Sequence, residues 1–216
     1  MKTEKINLTN DVEVLKSAYA KLDDSLEALE LDKKDTLHVK LLMEEAIGLV
    51  KQLTADFEAV VWAEEYEDIC SVKLVGTTKM NADKKFDMLS LSKKGKNAMA
   101  TGFMGKIKDI IETGLLNYDS VMKLQQEFNG VAVNFGGLGV CGDVGMTTNI
   151  GASTGFMWSM GDYKDALNEG IEENDGMKAA WDELEKSIVA NIANDVVVGV
   201  QKDKFEITIK YDIEGH

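Results

Sequence analysis

The chain has 216 residues and a net charge of −14, with 44% hydrophobic and 29% charged residues. This is the balance of a globular domain with enough chain for a core that needs no staples. The acidity argues against a broad nucleic-acid or anionic-membrane surface, since both require clustered Lys and Arg.

Two cysteines, Cys70 and Cys141, stand without a CxxC pair and give neither a disulfide framework nor a zinc site. No run reaches the roughly 18 apolar residues of a membrane span, and the opening Met1 to Lys5 lacks the apolar centre of a signal peptide. The expectation is a cytoplasmic protein with no nucleic-acid or membrane partner. Proline is absent, so turns rely on Gly, Asn and Asp.

In chain order, residues 4–8 alternate as a short strand. Thr9 or Asn10 is placed to cap a helix reaching about residue 31, with Val12, Leu15, Ala18, Tyr19, Leu22, Leu26 and Leu29 on one face. A second helix spans residues 35–53. At about 100° per residue, Leu37, Leu41, Leu42, Ala46, Leu49, Val50 and Leu53 form its apolar stripe. Glu44 points away from that stripe, whereas His38 and Glu45 fall inside it. A carboxylate on a buried face is costly unless paired. Glu45 is therefore either an edge position reaching solvent or a backbone donor, or part of a site at one end of the helix.

Residues 57–66 and 69–78 read as two strands joined by the acidic turn Glu64 to Asp68. A short helix or loop at 81–92, a helix over 95–114 and another over 118–128 follow. Residues 130–161 hold nine glycines and read as a loop-rich insertion. Helices over 162–170 and 177–192 lead to a closing hairpin, 196–200 and 205–213, turning at Lys202 and Asp203. Strand pairs joined as hairpins and separated by helices predict an α+β two-layer sandwich: a mostly antiparallel sheet with helices on one face. One domain is expected, with a core of residues 1–80 and 178–216 and an insertion at about 81–177.

The order of elements, and the run Leu41-Leu42-Met43-Glu44-Glu45-Ala46-Ile47-Gly48-Leu49, resemble the histidine-kinase-like ATPases (the GHKL superfamily), in particular the small bacterial anti-sigma-factor branch. The resemblance covers residues 1–78 and about 178–213. It implies a GHKL-like core binding ATP or ADP with magnesium, Glu45 acting on water, and an Asn four residues later holding the metal. Leu49 stands at that position and cannot coordinate a hard cation. The adenine-reading box implied near Gly76 is replaced by a stretch in which Asn81 or Asp83 would read the base. The glycine-rich lid is echoed at Gly95, Gly102 and Gly105. With Leu49 in place, the resemblance implies a catalytically degenerate regulatory module with a protein partner or a homodimer. The alternative is a working nucleotide-binding protein with Glu45, Asn81, Asp83, Lys96, Gly102 and Gly105 around the ligand.

Other motifs carry a functional reading and a blander one. Gly137, Gly139 and Gly142 fit the dinucleotide fingerprint G-x-G-x-x-G, with Val131 to Phe135 as the strand before it, and make a dinucleotide-dependent enzyme a second alternative. The glycine-rich stretch after it is a poor helix, and no βαβ series follows. Lys84, Lys85, Lys93, Lys94, Lys96, Lys106 and Lys108 form a basic set, read as a solvated face, with Ser90 to Asn97 as its best anion candidate. The Glu64 to Asp68 cluster is read as a polar turn rather than a cation site. His38 has no catalytic partner in His216 at the chain end. Met99, Met104, Met146, Met157 and Met160 are read as core, some of them as an adaptable apolar interface.

Overall fold

The computed structural model describes residues 1–53, 56–78, 102–127, 156–170 and 175–213. Within them the chain runs β1 (Ile6–Thr9), α1 (Val12–Ala20), α2 (Leu22–Leu26), a 3-10 turn (Glu27–Leu29), α3 (Lys33–Gln52), β2 (Phe57–Tyr66), β3 (Ile69–Thr78), α4 (Gly102–Glu127), β4 (Phe156–Ser159), α5 (Met160–Gly170), α6 (Asp175–Glu185), α7 (Ile188–Ile192), β5 (Asp195–Gln201) and β6 (Lys204–Asp212). The strands form one antiparallel sheet in the order β1-β2-β3-β6-β5-β4. The predicted α+β two-layer architecture is therefore the observed one, with the described helices on one face of the sheet.

Alternation sets that face. Ile6 and Leu8 of β1, Phe57, Ala59, Val61 and Ala63 of β2, Cys70, Val72 and Leu74 of β3, and Phe205, Ile207, Ile209 and Tyr211 of β6 are buried at every second position. Both long hairpins turn on two residues whose first has a left-handed φ, 54° at Glu67 and 56° at Lys202. Gly76 sits directly opposite Phe205. A Cβ there would come within 2.7 Å of the ring Cε1, so the glycine makes room for the aromatic side chain.

The acidic hairpin end is explained by charge on the outer face. Glu64 pairs with Lys73 on the neighbouring strand and with Lys2 at 3.7 Å, and accepts the Trp62 indole N–H at 3.1 Å. Burial pushes the Glu64 carboxyl up, but the Lys73 ammonium, the indole donor and Lys2 outweigh it and hold it below its ordinary value.

Five local expectations change. The first helix is capped by Asp11, not by Thr9 or Asn10: its carboxylate accepts from Glu13 N–H at 2.8 Å and Val14 N–H at 3.3 Å. Asn10 instead accepts from Phe57 N–H at 2.7 Å and ties the helix entry to β2. The expected helix to residue 31 breaks at Lys21 and ends at Glu30, whose φ of 53° is left-handed. Residues 102–127 form one helix where two were expected, and the expected 177–192 helix divides at Ser187, whose hydroxyl caps α7. The end of the glycine-rich stretch forms strand β4. Trp158, buried on the inner face, anchors it, and Ser159 Oγ accepts from Asp162 N–H at 3.1 Å to start α5.

Candidate functional site

Helix α3 lies across the sheet and was the expected centre of the site. Asp32 starts it, its carboxylate accepting from Asp35 N–H at 2.8 Å. The buried face is Asp35, Val39, Leu42, Met43, Ala46, Ile47, Leu49 and Val50, and Leu37 is 54% exposed. The stripe is thus rotated from the expected one toward Met43 and Ile47. Helix α2 packs against α3, with Lys40 and Asp23 paired at 2.6 Å between them.

Leu49 is 1% exposed and belongs to the main core. Glu45, one turn earlier on the same flank, is half-buried at the edge of the buried face. Burial first, and then the nearby Glu44 and Glu45 carboxylates, raise the Tyr19 hydroxyl above its ordinary value. Both acids thus sit within electrostatic reach of α1.

Gly102 opens α4 with a φ of 84°, and Gly105 is buried in the first turn. Helices α3 and α4 pack against each other, so the structure brings Glu45, Leu49, Gly102 and Gly105 onto two neighbouring helices. Asn81, Asp83, Lys96, Gly95 and the Gly137 to Gly142 fingerprint lie outside the described residues. Beside the α4 start, Lys106 donates to the Tyr163 hydroxyl and lies 3.9 Å from the centre of its ring. Trp158 packs between Phe103 and Tyr163, with ring centres 6.2 Å and 5.8 Å away. Its buried indole N–H has no hydrogen-bond partner among the described residues.

Sequence reasoning missed a second polar group. Tyr211 donates its hydroxyl proton to the Asp35 carboxylate at 2.5 Å, and His38 Nδ1 lies 2.9 Å from the same hydroxyl oxygen. With that proton donated to Asp35, the hydroxyl oxygen is left to accept from His38 Nδ1. Asp35 is 1% exposed and lies in the first turn of α3, where the helix dipole favours a carboxylate. The available signal was Tyr211 itself: a tyrosine on a buried strand face needs a partner for its hydroxyl. Across the sheet from Tyr211, burial pushes the Cys70 thiol up to about 12, with Glu65 adding to it. Such a thiol is a core group rather than a nucleophile.

On the outer face, Asn7, Thr9, Glu58, Val60, Val75 and Thr77 line a shallow hollow of about 390 Å³. Farther along that face, burial raises the Glu206 carboxyl against the opposing pull of Lys73. Among the described residues no three His, Cys, Asp or Glu side chains group as metal ligands, and no helix is long and apolar enough to cross a membrane. No family model, curated protein or solved structure matches the chain.

Proposed function

We propose that this chain is a catalytically degenerate regulatory or protein-binding module with a histidine-kinase-like ATPase core, acting through a protein partner or as a homodimer. The observation that carries the proposal is Leu49, closed into the core at 1% exposure where the family pattern calls for an oxygen ligand to magnesium. The order of elements supports the same family: a strand and helices, the Glu-bearing helix, a hairpin, and a closing helix and hairpin.

A second reading, an active ATP- or ADP-binding protein, is favoured by one feature. Gly102 and Gly105 start the 26-residue helix α4 beside α3, the helix that carries Glu45. A helix start of this kind offers unpaired N–H groups to a phosphate.

Thermal melting with magnesium and ATP, ADP or NAD(H) at millimolar concentration separates the two. A ligand with Kd ten-fold below its concentration adds about 1.4 kcal/mol and a measurable rise in Tm. The degenerate module predicts no shift with any of the three. An ATP or ADP shift overturns it in favour of the second reading, and an NAD(H) shift points instead to the Gly137 to Gly142 fingerprint. Light scattering on the same samples measures self-association.

A further inference from the structure

We draw no further inference here: the strongest candidate, the patch of Val197, Glu206 and Thr208 buried on the sheet face opposite the helices, carries nothing because nothing among the described residues shows what covers it.

Discussion

Replacing Leu49 by asparagine tests the packing and the function together. Leu49 is 1% exposed in the core beneath α3. Removing a fully buried leucine forfeits about 1.5–3 kcal/mol of transfer free energy, and an amide left there without a partner costs about 1–3 kcal/mol more. Leu49→Asn is therefore expected to lose about 3–5 kcal/mol, a large part of the roughly 5–15 kcal/mol that holds a domain together. Leu49→Met, which keeps volume and polarity, is expected to lose less than about 1.5 kcal/mol. Urea unfolding followed by tryptophan fluorescence measures both, with and without magnesium-ATP. A loss under about 1 kcal/mol in the Asn variant would refute the core placement, because an unpartnered amide in place of a buried leucine costs more than that. A magnesium-dependent ATP shift gained by that variant would support the family register, with Leu49 filling a vacated metal position; destabilisation with no such shift would leave Leu49 as core alone.

Four other outcomes are expected. Tyr211→Phe removes the donor to buried Asp35 and the acceptor for His38, so it should cost about 1.5–3 kcal/mol in urea; the Asp35→Asn, Tyr211→Phe double variant should lose less than the two singles summed, and strict additivity would argue against the pairing. Gly76→Ala drives a methyl into the Phe205 ring and should cost about 1–3 kcal/mol, with Phe205→Leu relieving much of it; an Ala variant as stable as wild type would sink that contact. In a Cys141→Ser background, native Cys70 should resist a thiol reagent until the protein unfolds, as befits a buried thiol pushed up to about 12, and labelling of the folded protein within minutes would contradict its burial. Glu206 holds its proton more tightly when folded, since burial raises it above its ordinary 4.5. Its stabilising contribution is thus present below the unfolded value and lost as pH rises through the folded one, so as pH rises above its ordinary 4.5 wild type should lose stability relative to Glu206→Gln; parallel pH profiles would count against that burial.

The two long hairpins were legible because alternation, turn residues and strand length all agreed. Strands Phe57–Tyr66 and Ile69–Thr78 have the predicted bounds, and the closing pair differs by a residue at its ends. What failed depended on tertiary neighbours. The buried face of α3 is set by the helices and strands packed around it, and no periodicity within α3 can report a neighbour packed beside it. Strand β4 has only four residues, among glycines, and is held by its register with β5 rather than by its own pattern. The polar group joins Asp35 to Tyr211 across 176 positions, and each residue already had a sufficient local role, one at a helix start and the other on a strand face. Glu45 shows the reverse. Its place inside an apolar stripe was visible from sequence, and the half-buried edge position is the milder of the two explanations weighed for it.

The proposed loss of catalysis follows from what a carboxylate can do alone. In phosphoryl transfer the metal bridges the phosphate oxygens and neutralises the charge that develops on them, while the acidic side chain only orients or deprotonates the nucleophile. Glu45, at the edge of α3, keeps partial access to solvent, but the next position on that flank, Leu49, is sealed into the core. An acid without a metal ligand one turn away has nothing to hold the phosphates in line, so proximity, the largest contribution open to it, is lost. Leu49 instead joins the apolar core. Under the proposed reading, Leu49 is the metal position filled with core, and the fold serves binding without turnover.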